Sequence, residues 1–223
     1  MEGGTARGRF ITLEGPEGAG KTVHGQRLAA ALVSRGHSVV LTREPGGTRL
    51  GERLRVVLLE RDGRIEPRAD ALLFNAARAQ LTAEILEPAL VAGQVVVCAR
   101  YTDSTLAYQG YGKGLPLGEL RSLGALASGG LVPDRTILLD LDPETGLARK
   151  AEAEQTRFES GFDMAFHRRV RAGFLELAAA EPQRFRVVDA SRTVEAVFAD
   201  VLAAAEEGLL PIMAEGQAQP TTG

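Results

Sequence analysis

Cysteine is almost missing from this chain. Cys98 is the single one among 223 residues, so a disulfide framework cannot form and a cysteine-rich zinc site cannot be built. Its setting, Val95-Val96-Val97-Cys98, reads as a buried strand rather than a reactive thiol. A lone thiol is compatible with a reducing cytoplasm, the compartment expected here. Long apolar runs are missing too: no stretch approaches the ~18 residues of a membrane span. Met1 to Arg9 is Gly-rich with no apolar segment and lacks the pattern of a signal peptide. There is no excess of basic charge. The 26 basic and 29 acidic residues leave a net charge of −3, unlike a chain whose whole surface grips nucleic acid. Aromatics are 5% of residues and no basic stripe is interleaved with them, so a nucleic-acid enzyme ranks last. His24, His37 and His167 are scattered with no ligand spacing.

What is present is an ordinary globular composition, 44% hydrophobic and 25% charged, at a length that suits one elaborated domain. Glycine is the outlier, 26 residues or about 12% against a usual ~7%. With no collagen-like period, that excess belongs in loops needing unusual backbone angles or close ligand approach. Strand candidates are Phe10–Glu14, Val39–Thr42, Val95–Ala99, Thr136–Leu141 and Arg186–Asp189. Most are nearly continuous in apolar character, as in parallel strands buried on both faces. Between them lie helical patterns. Val194, Val197, Phe198, Val201 and Leu202 form one apolar stripe, and Phe162, Phe166, Val170, Phe174 and Leu177 form another. A long helix from about Arg68 to Leu90 is expected, kinked or ended by Pro88. The alternation predicts an α/β fold, a five-stranded parallel sheet with helices on both faces. Residues 1–8 read as a flexible lead-in, 9–207 as the domain and 208–223 as a mobile tail.

The strongest local signal is Gly15-Pro16-Glu17-Gly18-Ala19-Gly20-Lys21-Thr22, which fits G-x-x-x-x-G-K-[ST]. A strand precedes it, and a helical pattern follows from Thr22 to Ser34 and stops at Gly36. The glycines let backbone N–H groups turn toward phosphate oxygens, and the helix N-terminus adds partial positive charge. Lys21 suits the β- and γ-phosphates, and the Thr22 hydroxyl suits Mg²⁺. This is a P-loop NTPase signature and implies a nucleotide, not what is done with it. Three further segments begin at carboxyl ends of strands or lie where they converge on this loop: Arg43-Glu44-Pro45-Gly46-Gly47-Thr48, Leu73-Phe74-Asn75-Ala76-Ala77-Arg78 in the long helix, and Arg100-Tyr101 through Gly110.

Together these residues resemble thymidylate kinase (dTMP kinase) in its bacterial form, over roughly residues 8 to 206. The resemblance implies phosphoryl transfer from ATP to dTMP with Mg²⁺, and a homodimer. Phe74 is similar to the aromatic that stacks on thymine; taken alone, with Leu72 and Leu73 as neighbours, it reads better as helix core. Arg78, one turn along on the same face, looks like a base contact. Gln109 resembles the residue that reads the base edge, since an amide offers both donor and acceptor. Tyr108 resembles the residue against the sugar 2′ position, and Thr105 belongs to the same substrate segment. Arg43 and Arg100 look placed to hold the monophosphate, for which a planar fork of donors is suited. Glu17 is similar to the acid that meets the sugar 3′-hydroxyl. Gly15, Glu17, Gly18, Ala19, Gly20, Lys21 and Thr22 are the expected ATP-binding set, with Thr22 toward the metal.

Two departures from that pattern stand out. Members lacking an arginine in the phosphate loop draw catalytic cations from a mobile lid, here about residues 149–161. This lid offers Arg149, Lys150 and Arg157 but also Glu152, Glu154 and Glu159. Arg149 and Arg157 are the expected catalytic pair beside Lys21 and Arg100. The second departure is Ala99, where the family carries an acid that helps hold Mg²⁺. Either Thr22, the nucleotide phosphates and water hold Mg²⁺ alone with reduced activity, or Glu14, Asp103 or Asp140, near strand ends or the loop, substitutes, or the chain is inactive; an active enzyme with weakened metal handling is the expectation. Two alternatives follow: a nucleotide-binding module without turnover, or a kinase for another monophosphate.

Overall fold

The computed structural model describes residues 7–60, 64–149, 156, 158 and 161–209. Its centre is a five-stranded sheet in the order β2-β3-β1-β4-β5, with β1 Phe10–Glu14, β2 Val39–Arg43, β3 Val95–Ala99, β4 Arg135–Asp140 and β5 Phe185–Asp189. Every pairing is parallel, and Leu13 stands between Ala99 of β3 and Ile137 of β4. All five residues of β1 and of β3 are buried, which is why those segments read as unbroken apolar runs. The edge strands β2 and β5 keep exposed positions.

Side chains alternate across the sheet with period two. Ile11, Leu13, Val97, Ile137 and Leu139 meet Leu28 and Leu32 of α1 (Lys21–Ser34) and Val197 and Val201 of α9 (Val194–Leu209). On the opposite face, Leu138 packs with Phe166, Val170 and Phe174 of α8 (Met164–Ala180). Phe10, Val96 and Cys98 pack there with Leu81, Leu86 and Tyr101. The remaining helices are α2 (Arg49–Leu59), α3 (Pro67–Leu81), α4 (Glu87–Val91), α5 (Thr102–Thr105), α6 (Leu117–Ser128) and α7 (Pro143–Ala148).

The long helix expected near Pro88 is α3 and α4 joined by a wide π turn, Thr82–Leu86. The Glu87 N–H reaches back to the Thr82 carbonyl, and Pro88, which has no N–H to give, sits in the first turn of α4. A second π turn, Leu106–Gly112, continues α5. Phe162 precedes α8 rather than lying in it, yet its ring stacks on Phe166 at 4.0 Å. Two expected boundaries move. Of the lead-in, Gly8 is tied down: its N–H donates to the Leu90 carbonyl at 2.8 Å, and Arg7 reaches Asp134 at 3.3 Å. Helix α9 runs to Leu209, past the expected domain end at 207. Residues 1–6 and 210–223, named above as lead-in and tail, lie outside the described residues.

The chain leaves β1 toward β2 on one side and leaves β4 toward β5 on the other. That divergence opens a crevice at the carboxyl ends of the strands, where open α/β sheets bind ligands. Among the described residues no helix is long and apolar enough to cross a membrane.

Candidate functional site

The loop between β1 and α1 occupies that crevice. Gly15, Gly18 and Gly20 have φ of 139°, 71° and 89°, a region L side chains rarely adopt. Space forbids side chains as well: a Cβ on Gly15 would lie 2.3 Å from the Leu139 carbonyl oxygen, and one on Gly18 1.9 Å from that of Gly146. Lys21 opens α1, and its Nζ donates to the carbonyls of Gly15 at 2.9 Å and Pro16 at 2.6 Å. No side chain caps the N-terminus of α1, so its first-turn N–H groups are left for an anion. Thr22 is exposed at that end.

Arg100 follows β3 directly and has φ of 71°, unusual for a residue with a side chain. That turn aims its guanidinium at the phosphate loop. Nη2 donates to Glu17 Oε1 at 2.6 Å and to Tyr108 Oη at 3.2 Å, and Nη1 donates to Ser104 Oγ at 3.2 Å. The Tyr108 hydroxyl in turn donates to Glu17 Oε1 at 2.8 Å. Burial pushes the Tyr108 phenol up, and the Glu17 carboxylate beside Arg100 helps hold the guanidinium charged. Behind this knot lies Glu14. Its Oε1 accepts from the Tyr101 N–H at 2.7 Å and its Oε2 from Ser104 Oγ at 2.6 Å. Burial, with Asp103 nearby, raises its carboxyl to about 7.

A partly open cavity of about 110 Å³ lies beside the knot. Seven of the eight predicted substrate residues line it: Glu17, Phe74, Arg78, Arg100, Thr105, Tyr108 and Gln109. The ring of Phe158 joins them, 5.5 Å from Tyr108 and 6.1 Å from Phe74 between centroids. Arg78 is fully buried. It grips Glu44 through Nε at 3.0 Å and Nη2 at 2.7 Å, and it also donates to the Tyr101 carbonyl, Thr105 and Asn75. Glu44 follows β2 and precedes a cis peptide to Pro45.

Arg43 is placed differently from the expectation. It is half-exposed, paired with Glu52 at 3.1 Å, and it is not in the cavity wall. Arg55 of α2 takes that place, with Nη1 donating to the Pro45 carbonyl at 2.8 Å. Burial and the neighbouring cations Arg43 and Arg100 push its pKa below the usual guanidinium value, against the opposing pull of Glu52 and Glu17. Nothing in the hydrophobic pattern flagged Arg55. Its one signal is position, two turns into the helix that Thr48 caps by accepting the Gly51 N–H at 3.0 Å.

A second cleft lies on the other flank of the phosphate loop, lined by Gly18, Ala19, Gly20, His24, Arg149 and Arg192 among others. Arg149 donates to the Ala190 carbonyl at 3.1 Å and to that of Gly18 at 3.5 Å. The structure therefore parts Arg149 from Arg100 by the width of the loop. Arg157 and Lys150 lie outside the described residues.

The three carboxylates named for the role missing at Ala99 are all engaged. Glu14 holds Tyr101 and Ser104, Asp103 takes Arg184 at 2.6 and 2.9 Å, and Asp140 takes Arg171 at 2.7 and 2.8 Å. Among the described residues no group of three His, Cys, Asp or Glu side chains forms a metal cage. The donor set is one hydroxyl, Thr22, at a phosphate-binding loop. That fits a hard cation which keeps several waters and arrives with nucleotide phosphates.

Comparison with known proteins agrees with this geometry. A family model described as Thymidylate kinase matches residues 13–201. A thymidylate kinase of Deinococcus radiodurans is 54% identical over 91% of this chain and 98% of its own. One from Thermomicrobium roseum is 50% identical over 95% of this chain and 99% of its own. Among solved structures, thymidylate kinase from Ehrlichia chaffeensis matches with a TM-score of 0.73 at 33% identity, covering 89% of this chain and 99% of that one.

Proposed function

The chain belongs to the thymidylate kinase family, and from that premise we propose how its residues divide the transfer of a phosphoryl group from ATP to dTMP, giving dTDP. The transfer itself follows from the family. A phosphate oxygen of dTMP attacks the γ-phosphorus, and the bond to the β–γ bridging oxygen breaks, leaving ADP. The attacking oxygen is already anionic, so no general base is required; positioning and charge stabilisation carry the step.

The acceptor is assigned to the cavity and the nucleotide to the loop and the second cleft. Phe74 stacks on the base, a contact of ~1–3 kcal/mol, and Tyr108 lies against the sugar 2′ position with its ring wedged among Phe158, Phe166 and Phe174. Glu17 meets the 3′-hydroxyl. Arg100 and Arg55 hold the monophosphate. The backbone from Gly15 to Thr22 cradles the ATP phosphates, and Lys21 leaves its carbonyl partners to meet them. Arg149 and Arg157 supply lid charge. Thr22, with nucleotide phosphate oxygens and water, would hold Mg²⁺, which when bound would supply neutralisation of charge on the phosphates. The reaction is placed in the cytoplasm. A homodimer is proposed through α2 and α3, which pack together and carry the exposed apolar side chains Leu50, Val56, Val57 and Leu72.

One observation carries this division. Glu17 of the phosphate loop, Arg100 after β3 and Tyr108 of the π turn are bonded into one knot, so the nucleotide loop and the acceptor cavity share a wall. The test is a panel of monophosphate acceptors assayed with ATP across Mg²⁺ concentrations. dTMP is expected to be turned over far faster than the purine monophosphates. ATP hydrolysis that proceeds equally fast with no acceptor would overturn the division. Ala99→Asp, assayed in the same series, is expected to lower the Mg²⁺ concentration needed for half-maximal rate. An unchanged rate and Mg²⁺ dependence would remove Ala99 from the account.

A further inference from the structure

Gln109 has one bonded end. Its Nε2 donates to Asp70 Oδ2 at 2.8 Å, and Lys113 Nζ donates to the same oxygen at 2.6 Å. Asp70 is fully buried on α3, one turn before Phe74, and Lys113 lies one turn after Gln109. A carboxylate paired with a lysine accepts hydrogen bonds and has none to give, so the amide can meet it only with its NH₂ end. The amide carbonyl must then point away from Asp70, and Gln109 itself borders the cavity beside Phe74 and Arg78.

We infer that Asp70, held by Lys113, fixes the Gln109 amide with its carbonyl toward the base, and that this pair selects pyrimidines carrying an N3–H. This rests on Gln109 being the base-edge contact proposed above. Thymine and uracil present N3–H, a donor that a fixed carbonyl accepts. Cytosine presents a bare N3 lone pair, which faces that carbonyl as acceptor against acceptor. A freely rotating glutamine would offer its NH₂ instead and serve both. The lock removes that choice. Arg78 is equally immobile, tied to Glu44, Tyr101, Thr105 and Asn75. It presents only donors and suits a carbonyl at position 4, where cytosine has an amine. Asp70 therefore controls one of two discriminating contacts. It is a positioning residue and touches no substrate.

The experiment uses the full chain and three acceptors, dTMP, dUMP and dCMP, with kcat and KM measured for each and the melting temperature recorded. Asn at position 70 offers both oxygen and NH₂, so Asp70→Asn frees the amide to turn. The dTMP-to-dCMP ratio of kcat/KM is expected to fall about tenfold, mainly through KM, while the dTMP-to-dUMP ratio holds, because both bases carry N3–H. Asp70→Glu keeps a carboxylate and is expected to keep the selectivity. Asp70→Asn strands a buried ammonium, so Asp70→Asn/Lys113→Met is assayed beside it, with the same fall expected. Gln109→Leu separates the two levels. If it lowers the dTMP-to-dCMP ratio while Asp70→Asn leaves that ratio within twofold, Gln109 reads the base but Asp70 does not orient it, and the inference is overturned. If Gln109→Leu moves neither KM for dTMP nor the ratio, the base-edge reading itself fails and takes the inference with it. A uniform loss on all three acceptors in Asp70→Asn marks a structural role only and overturns the inference as well.

Discussion

At the scale of single residues the site is organised by what is held behind it. Arg100 keeps a left-handed backbone that costs a residue with a Cβ ~1–2 kcal/mol, and Glu14 secures the next N–H and Ser104 while it does so. Arg100→Ala is expected to lower kcat/KM for dTMP by about 10³, the scale set for cations that meet transferring phosphoryl groups. Arg100→Lys should recover only part, because a point charge cannot serve Glu17, Tyr108, Ser104 and a phosphate together; the check is steady-state kinetics on both variants. Glu14 makes a separate prediction about stability. Its carboxyl is raised from 4.5 to about 7 by burial and by Asp103, against the opposing pull of Ser104, Arg100 and Tyr101. Between those values the folded chain binds more protons at Glu14 than the unfolded chain does. Stability from this group is therefore fully present below about pH 4.5 and lost as pH rises through 7. Glu14→Gln should flatten that decline in melting temperature across pH 5 to 7.5; an unaltered slope would show that Glu14 titrates normally. Some of this was legible beforehand and some was not. The phosphate loop and Arg100 could be read because a motif or a strand end fixes where they point. Arg55 was not foreseen beside Arg43, because its turning inward depends on α2 folding back over the Pro45 carbonyl. The pairing of Glu44 with Arg78 stayed hidden because an ion pair spanning 34 residues leaves no trace in local periodicity.

At the scale of elements, the π turn Leu106–Gly112 does what a regular helix would not. Its wider winding, marked by the Lys113 N–H reaching the Tyr108 carbonyl at 3.0 Å, brings Thr105, Tyr108 and Gln109 to one cavity wall. Two glycines let it pack. A Cβ on Gly110 would lie 2.5 Å from Leu117 Cδ2, and one on Gly112 2.5 Å from Phe166 Cε2 and 3.0 Å from Val170 Cγ2. The Phe166 ring is stacked on Phe162 and edge-on to Tyr108, so it has little room to yield. Gly112→Ala should cost ~1–3 kcal/mol by overpacking and raise KM for dTMP as Tyr108 and Gln109 shift. Urea unfolding and acceptor titration check the two effects, and a variant as stable as the parent would show that α8 yields freely. Strands were readable to within a residue at most ends because a strand buried on both faces has only one pattern. The π turns were not, since a single wide turn changes the helical period by too little over five to seven residues to be seen. Pro88 signalled an interruption, and its answer, a wide turn that lets two helices run on, is a matter of backbone hydrogen bonding that composition does not encode.

At the scale of the whole molecule, the phosphate loop lies between two clefts, the proposed acceptor cavity on one flank and the cleft of Arg149 and Arg192 on the other. Reaction requires both to be filled, and Phe158, in the segment that follows Arg149, lies over the cavity against Tyr108 and Phe74. ATP hydrolysis without dTMP should therefore be slow, since water is excluded only when the acceptor completes the wall. The assembly is tested on the opposite surface. Val56 is 73% exposed and Leu72 56%, and with Leu50 and Val57 they put four large apolar side chains on two helices that pack together. These are the side chains of the proposed homodimer interface. Its desolvation is expected to hold two chains together, and a carboxylate buried there without a partner would force them apart. Val56→Glu/Leu72→Glu should scatter light as a monomer of half the parent mass, while its melting temperature and its kcat stay close to the parent's, because neither residue lines the acceptor cavity. A parent chain that is already monomeric at micromolar concentration would refute the dimer. A double variant that stays dimeric would move the interface off α2 and α3.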